Sequence, residues 1–354
     1  MTEQVKVGVI GTSHWTDLIF LPIFAGCERA TVTAICGRNR THTEEIAAKF
    51  GISQVFTDYR QMIEQGKLDA VVVVTPDDTH YEMVMAALDA GLHVLCEKPI
   101  ALNAKDAKAM YEKAEAKQLK HMVMYTWHWP PLMQRFKHLV DEGSIGKIYH
   151  GNFQWQTPFW RNRDYSWRVD AERANGIVAD LGSHMIHLAL WTMGDVVSVS
   201  AQLGFHIQRD GLNGKPLQRA NDSALITLEF ASGAQAQVGV SAVARLIGPM
   251  KPTCVLYGEK GTLEAGWIFG DDLIHNTGYV RAGVDGSEEK ISEELPFDVV
   301  ESYKTNPVGP RLFVDAILDD KPIYPGLYEG YKVQQVIDAA KESHRTGCRV
   351  SITP

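Results

Sequence analysis

Residues 7–20 read VGVIGTSHWTDLIF, and this order of apolar run, glycine turn and helix start decides the fold of the N-terminal part. A dinucleotide-binding fingerprint, G-x-G-x-x-G counted from Gly11, would have glycine where this chain has Ser13 and Thr16. The pattern alone is weak, but it lies at a first strand–helix turn, where helix amides can hold a pyrophosphate. A tight turn without a ligand is the alternative. We predict dinucleotide contacts from four loop residues: Gly11, Thr12, Ser13 and His14.

Up to about residue 125, short apolar runs alternate with amphipathic segments. Four runs follow the first one: VTAIC at 32–36, DAVVVVTP at 69–76, HVLCEKP at 93–99 and HMVMY at 121–125. Their continuous valine and isoleucine content indicates strands buried on both faces, as in a parallel sheet with helices on each side. Residues 80–90 and 103–118 are predicted to form two of those helices. The fold class is therefore α/β, with a doubly wound Rossmann domain over residues 1–125.

After residue 125 the pattern changes to looser alternation with glycine-bearing turns. The apolar runs are KIYHGNFQWQ at 147–156, DSALITLEF at 222–230, AQAQVGVSAV at 234–243 and PTCVLYGEKGTLEA at 252–265. They predict an α+β domain over residues 126–354, with a large, mostly antiparallel open sheet and late helices near 310–319 and 325–344. Such a sheet leaves a broad face, which either a helix layer or a second subunit could cover. We predict a homodimer or homotetramer through this sheet.

Composition restricts the possible classes of protein. With 354 residues, 45% of them hydrophobic and 22% charged, the chain is typical of a soluble two-domain protein. A net charge of -8 argues against a nucleic-acid partner. We find no apolar run long enough to span a bilayer and no signal-peptide layout, so we expect no membrane association. Five scattered cysteines suit reduced thiols and a cytoplasmic location, and they argue against disulfides or a thiolate zinc site.

A second stretch, VADLGSHMIHLALW at 178–191, has helical apolar spacing but carries Asp180, His184 and His187. Asp180 and His184 are four residues apart, so on a helix they lie on one face. Burying such groups without partners costs several kcal/mol, which a catalytic role would explain. A satisfied core pair is the alternative. A metal face is also conceivable, but no fourth ligand is evident, so we expect no metal. His187 is interpreted as a helix histidine with a structural hydrogen bond.

The cofactor type is indicated by AICGRNR at 34–40. An acid that accepts from the ribose hydroxyls of NAD is expected near this point, but Arg38 and Arg40 lie there instead. A guanidinium would pair with a 2′-phosphate, so we predict a preference for NADP through Arg38. An ordinary surface arginine, with NAD as the cofactor, is the alternative.

Taken together, these motifs make the chain resemble the Gfo/Idh/MocA oxidoreductase family. The resemblance spans nearly the whole length through TPDDTH at 75–80, EKPIALN at 97–103, the WR pair at 167–168, the D-x-x-x-H of Asp180 and His184, and YGEKGTLEA at 257–265. The chain departs from the family pattern in its glycine loop, in the single Gly176 before Asp180, and in YTWHWPP at 125–131.

The resemblance implies an NAD(P)-dependent dehydrogenase or reductase of a sugar, cyclitol or related small polyol. It implies that Lys98 is the catalytic lysine, that Asp180 binds substrate and that His184 transfers the proton. It also implies a set of cofactor-binding residues: Thr75, Pro76, His80, Glu97, Lys98, Trp167 and Arg168. Two further functions occur on this fold: an NAD-dependent glycoside hydrolase that uses transient oxidation, and a non-catalytic dinucleotide-binding regulator. Retention of Lys98, Asp180 and His184 argues against the regulator.

The chemistry explains why these groups are needed. Oxidation of a carbinol requires a base within hydrogen-bond reach of its oxygen, and an imidazole titrates near neutral pH. We hypothesise that His184 is the main acid/base and that Lys98 assists by stabilising alkoxide character on the same oxygen. The reverse assignment is the alternative. Six aromatic residues could stack on a sugar or pack in the core: Trp127, His128, Trp129, Trp155, Phe159 and Trp160.

Overall fold

The computed structural model describes residues 4–162, 164–271, 275–284, 291–306 and 308–353. The chain folds into two compact units. The first contains Met1–Tyr125 and Val300–Lys332, and the second contains Thr126–Val299 and Val333–Pro354. Among the described residues, no helix combines the length and the hydropathy that a bilayer crossing needs.

The first unit is built on a parallel sheet. Its strands are β1 (Val5–Ile10), β2 (Ala30–Cys36), β3 (Gln54–Phe56), β4 (Ala70–Val73), β5 (His93–Glu97) and β6 (His121–Met124). They are arranged in the order β3-β2-β1-β4-β5-β6, and every neighbouring pair is parallel. This order confirms the predicted doubly wound Rossmann sheet, in which the order of the strands along the sheet reverses between β1 and β4.

Helices connect these strands. A π-helical segment at Thr16–Phe20 leads into α1 (Leu21–Ala25), and α2 (Arg40–Phe50), α3 (Tyr59–Gln65), α4 (Asp77–Asp89) and α5 (Ala104–Ala116) follow. Three of these helices begin after a polar residue whose side chain accepts a backbone N–H, namely Asn39, Asp58 and Asn103. Strands β4 and β6 are buried at every residue, as the unbroken apolar runs predict.

The second unit is built on a mixed sheet. Within the described residues its strands are β7 (Ile148–Gln156), β8 (Val196–Gly204), β9 (Ser223–Phe230), β10 (Gln235–Ser241), β11 (Thr253–Gly258), β12 (Gly261–Phe269), β13 (His275–Val284), β14 (Ile291–Asp298) and β15 (Val350–Ser351). They are arranged in the order β14-β13-β12-β11-β7-β10-β9-β8-β15. Of the strand pairs described, β7 with β10 is parallel and the others are antiparallel, so the predicted large, mostly antiparallel open sheet is confirmed.

Two helices cover one face of this sheet. Helix α6 (Pro131–Asp141) packs on β12 and β13, and α7 (Ser183–Met193) packs on β7 and β10. The other face follows the two-residue period of a strand, with alternate residues of β9 exposed. Leu225 is 54% exposed on that face.

The chain returns to the first unit near its C-terminal end. Helices α8 (Val299–Thr305), α9 (Pro310–Leu318) and α10 (Leu327–Thr346) follow β14. The predicted second domain, residues 126–354, includes 300–332, whereas Val300–Lys332 folds as part of the first unit. The reason is that α9 packs against β1, β5 and β6 and buries the Phe313 side chain completely.

Candidate active site

The predicted cofactor residues of the first unit lie at one edge of its sheet. The chain after β1 contains Gly11, the chain after β2 contains Arg38, the chain after β4 contains Thr75, and the end of β5 contains Glu97 and Lys98. In open parallel sheets, ligands bind outside the carboxyl ends of the strands at the point where the strand order reverses. Here that point lies between β1 and β4, directly beneath the Gly11 loop.

The Gly11 loop allows close approach of backbone to backbone. Gly11 has φ +117°, and a Cβ at this position would lie 2.0 Å from the carbonyl oxygen of Val74. Its N–H donates to the carbonyl oxygen of Cys36 over 2.9 Å. No residue with a side chain fits here, because both the φ angle and the contact exclude a Cβ. The loop therefore provides a narrow cradle before the helix start at His14, and a dinucleotide phosphate fits such a cradle.

The two positions that depart from the glycine fingerprint contact each other. The hydroxyl oxygens of Ser13 and Thr16 are 3.2 Å apart, and the Thr16 N–H donates to Ser13 Oγ over 3.3 Å. Thr16 is completely buried, whereas Ser13 and His14 are exposed. The side chain of Ser13 therefore caps the start of the helix. The backbone of this exposed turn suits the phosphate that its sequence predicts.

The two arginines after β2 differ in their surroundings. Arg40 Nε donates to Glu44 Oε1 over 2.8 Å on α2. Arg38 is exposed, and within the described part of the chain it forms no ion pair. Arg38 is thus the arginine whose charge is available to a 2′-phosphate.

Glu97 and Lys98 are held in place at the end of β5. The indole Nε1 of Trp15 donates to Glu97 Oε1 over 2.9 Å, and the Lys98 backbone N–H donates to Glu97 Oε2 over 3.1 Å. Glu97 is buried, and Lys98 is half-buried. Trp15 was not among the residues predicted from sequence; the available signal was a buried acid after an apolar strand, which needs donors.

His80 contacts the backbone of the residue after Lys98. The ring is completely buried, and its Nδ1 and Nε2 atoms each lie 2.8 Å from a carbonyl oxygen, those of Pro99 and Thr75 respectively. Burial lowers the pKa of His80, while the two carbonyl oxygens oppose that shift. Both polar ring atoms thus bridge the loops after β4 and β5, although the family resemblance implies a contact between His80 and the cofactor. Pro76, at the N-cap position of α4, lies half-buried in the first of these loops.

In the second unit, three predicted residues form one charged group. The Arg168 guanidinium lies over the Trp167 ring, 4.3 Å from its centroid, and Arg168 Nε is 3.7 Å from Asp180 Oδ1. The side chain of Asp180 is 23% exposed and that of Arg168 43%. The structure therefore brings the WR pair and the acid together, with part of each still open to solvent.

Asp180 and His184 do not share one regular α-helix. Asp180 lies in a π-helical segment, Val178–Gly182, and His184 lies in the first turn of α7. Single π turns are frequent at functional sites because they re-aim side chains. His184 is 5% exposed, and its ring centroid lies 5.9 Å from that of Trp155.

His187 has the structural hydrogen bond that its sequence context predicts. Its Nε2 lies 3.0 Å from Nδ1 of His128, and both rings are buried. Burial lowers the pKa of His187 to about 3 and holds the pKa of His128 well below its usual range. Among the described residues, no cluster of His, Cys, Asp or Glu could hold a metal ion.

Most of the candidate aromatic residues pack in the core of the second unit. Trp127 stacks on Trp267 with ring centroids 5.4 Å apart, and Trp155 stacks on Phe269 at 5.8 Å. Trp127 is 6% exposed and Trp155 4%, so neither presents a free ring face. Phe159, at 47% exposure, is the exception.

Comparison with known proteins identifies the family. Residues 5–125 match the model described as "Oxidoreductase family, NAD-binding Rossmann fold", and residues 133–264 match the "GFO/IDH/MocA C-terminal domain". The chain belongs to the Gfo/Idh/MocA family. As a member of this family it is an NAD(P)-dependent oxidoreductase.

Individual family members are similar over almost the whole chain. The levoglucosan dehydrogenase of Pseudarthrobacter phenanthrenivorans is 26% identical, over 95% of this chain and 94% of its own. The "D-xylose 1-dehydrogenase (NADP(+)) 2" of Haloferax volcanii is 26% identical, over 98% of this chain and 99% of its own. The solved structure "Levoglucosan dehydrogenase, complex with NADH" has a TM-score of 0.86 and 22% identity, covering 99% and 100% of the two chains. That structural likeness establishes the shared fold.

Proposed function

We propose that this Gfo/Idh/MocA protein oxidises or reduces one carbon of a sugar, cyclitol or related small polyol with NAD(P). The observation that carries the proposal is the position of Lys98, which follows the buried strand β5 and is anchored through Glu97, itself bonded to Trp15 just after the Gly11 loop. Relatives that span this chain from end to end are named as sugar dehydrogenases, which supports the substrate class.

The cofactor would be held by the first unit. The backbone of residues 11–14 would bind the pyrophosphate, and the residues after β4 and β5 would line the remainder of the cleft: Thr75, Pro76, Glu97 and Lys98. When bound, the nicotinamide supplies or accepts the hydride. We propose NADP as the preferred form, because Arg38 is exposed and lacks an acidic partner among the described residues.

The protein side chains would move and hold the proton. His184, in the second unit, would take up or release a proton at an imidazole nitrogen, and Lys98, in the first unit, would donate a hydrogen bond from its ammonium. Asp180 would accept from a neighbouring hydroxyl and orient the ring. The Arg168 guanidinium lies 3.7 Å from Asp180 and would help to hold that carboxylate in place.

We further propose a division of labour in which the first unit binds the dinucleotide and the second unit binds substrate and a second subunit. The sheet face opposite α6 and α7 supports a homodimer or homotetramer, since it exposes Leu225 and Tyr257 among polar neighbours. Light scattering of the purified protein would detect either assembly, and a monomer at working concentrations would overturn this part of the proposal.

A screen tests the proposed function directly. The protein is mixed with a panel of aldoses, cyclitols and polyols, each with NAD and with NADP, and reduced nicotinamide is followed by absorbance. We expect turnover with at least one sugar-like substrate, and faster turnover with NADP. Absence of turnover across the panel, with both cofactors and in both directions, would overturn the proposal.

A further inference from the structure

A short segment between β8 and β9, residues 218–222, pairs with two parts of the candidate site in the second unit. The Ala171 N–H donates to the carbonyl oxygen of Gln218, and the Ala220 N–H donates to that of Val169, each over 2.8 Å. The next residue, Asn221, accepts at its carbonyl oxygen from the Ile177 N–H over 2.9 Å. The segment therefore touches the chain just after the WR pair and just before Asp180.

The side chain of Asn221 forms hydrogen bonds with the start of the segment that contains Asp180. Asn221 Oδ1 accepts from the Val178 N–H over 3.1 Å, and Nδ2 donates to the carbonyl oxygen of Asn175 over 2.7 Å. The amide orientation follows from these partners, because an N–H needs an acceptor and a carbonyl needs a donor. Asn221 is 4% exposed. It thus accepts from a first-turn N–H, a group that has no partner within its own helix, and donates to a carbonyl oxygen just before the helix.

Gly176 shows how close this contact is. It has φ +68°, and a Cβ at this position would lie 2.4 Å from the carbonyl oxygen and 2.7 Å from the nitrogen of Asn221. Both atoms are backbone and cannot yield as a flexible side chain would. The single glycine before Asp180 is therefore required for the chain to reach Asn221.

The next residue, Asp222, anchors Asn221 to the neighbouring chain. This residue is 1% exposed, and its carboxylate accepts from the N–H groups of His206 and Ile207 over 2.9–3.0 Å. Its carbonyl oxygen accepts from the Ala242 N–H directly after β10. Asn221 is therefore joined to the rigid sheet, and a side chain on a well-supported segment can define the position of its partner.

We propose that Asn221 is a positioning residue for the reaction. It determines where the π-helical segment at Val178–Gly182 begins, and hence where Asp180 and His184 point. This inference rests on the proposed function for its effect on turnover, whereas its structural part stands without it. The same segment bonds through Gln218 and Ala220 to the chain just after the WR pair, so one segment, 218–222, supports both substrate-side elements.

The test uses Asn221→Asp, which keeps the acceptor and loses the donor, and Asn221→Ala, which loses both. With the sugar that the screen identifies, we expect kcat to fall about 10- to 100-fold and the sugar KM to rise several-fold, in line with the cost of a misplaced group. The dissociation constant for NADPH, measured on the intact protein, should change by less than about twofold. Asn276→Ala removes a buried amide of the same unit from β13 and should leave both parameters near the wild-type values.

Two readouts keep the alternatives apart. A purely structural role would lower the folded fraction and hence the apparent kcat, with the sugar KM unchanged, and that outcome would overturn the proposal. The second readout is hydrogen exchange of a peptide covering residues 175–184, which should be faster in both Asn221 variants than in the wild type. Unchanged exchange would also contradict the proposal that Asn221 fixes the start of this segment. If the wild type oxidises no sugar, the proposed function fails, and the exchange experiment still decides the role of Asn221.

Discussion

Lys98 is anchored by its neighbours on either side along the chain. Glu97 accepts from the Lys98 backbone N–H, and His80 contacts the carbonyl oxygen of Pro99. The side chain itself extends from this corner and remains half-buried. A long, flexible ammonium is thereby presented from a backbone that has little freedom, which lowers the entropy cost of using it in catalysis.

Replacing Lys98 by Met removes the charge and keeps most of the apolar stem. We expect kcat to fall about 10²- to 10⁴-fold, the usual range for loss of a group that assists proton transfer. The dissociation constants for NAD and NADP should change by less than about threefold, since the backbone cradle at Gly11 is intact. Steady-state kinetics and cofactor-quenched tryptophan fluorescence measure both. Lys105→Met, on an exposed position of α5, is the matched control; equal activity of the two variants would remove Lys98 from the mechanism.

The proposed preference for NADP over NAD depends on one residue, Arg38. Arg38→Ala should raise the dissociation constant for NADPH by about tenfold or more, since a charge-assisted contact with a phosphate contributes about 1.5–3 kcal/mol. The constant for NADH should hardly change. Arg40→Ala is the control, because Glu44 already occupies that guanidinium. Equal effects of Arg38→Ala on NADPH and NADH, measured by titration, would contradict the preference for NADP.

Among the elements, the strands buried on both faces were predictable and the half-buried ones were less so. Strands β1, β2, β4, β5 and β6 overlap the apolar runs from which they were predicted. Strand β3 has three residues, all half-buried, and β13 (HNTGYVRAGV) carries polar residues on its exposed side, so neither has a distinctive pattern. Helices α4 and α9 begin close to their predicted positions, with Pro or Asp at the first turn.

Some residues of the candidate site could likewise be predicted from the sequence, and others could not. Of the residues chosen by resemblance in the first unit, those after β4 and β5 lie at the carboxyl ends of strands, as the fold requires, whereas His80 lies in α4. Asn221 could not be found from sequence, because its partners are 43 and 46 positions away along the chain. The π-helical turn at Val178–Gly182 was also missed, since five residues are too few for an apolar pattern to distinguish a π turn from an α turn.

A pair of buried imidazoles links two elements of the second unit, the 3₁₀ turn at Thr126–His128 and α7. Burial lowers the pKa of His187 to about 3, so the folded state binds this proton only in strong acid. The unfolded chain takes it up below about pH 6.5. Stability should therefore be fully present above pH 6.5 and decline as the pH falls toward 3, by up to about 1.4 kcal/mol per pH unit for this proton.

Replacing His187 by Gln tests this dependence. The variant should be less stable than the wild type at pH 7, because the contact with His128 Nδ1 is altered, but its stability should fall less steeply with decreasing pH. Urea unfolding at pH 7, 6 and 5 gives the slopes. His150→Gln changes an exposed imidazole on β7 and should retain the wild-type slope. Parallel curves for the wild type and His187→Gln would show that this buried pair does not contribute.

At the scale of the whole molecule, the first unit is assembled from two distant parts of the chain. The Val123 N–H at the edge strand β6 donates to the carbonyl oxygen of Pro325 over 3.0 Å, and the Leu327 N–H donates to His121 Nδ1 over 3.0 Å. Residues 300–332 therefore cover the edge of the parallel sheet, which would otherwise expose unpaired backbone groups.

Residues 1–125 produced alone should lack a complete core. Loss of the packing around Phe313 should cost about 3–5 kcal/mol, and β6 would become an open edge. We expect a fragment that binds a hydrophobic dye and unfolds over a broad temperature range. A variant fragment in which a Gly/Ser linker joins 1–125 to 300–332 should regain a sharp transition. Calorimetry compares the two, and equally cooperative unfolding of both would show that residues 300–332 are dispensable.

Because the first unit is completed only by residues 300–332, its folding also depends on the course of biosynthesis. The edge of the nucleotide-binding sheet stays uncovered while the ribosome adds about 200 further residues, on the order of ten to forty seconds at usual elongation rates. During that interval the nascent chain displays an apolar strand that other polypeptides could join. Early synthesis is therefore the stage at which a chaperone would protect this protein most.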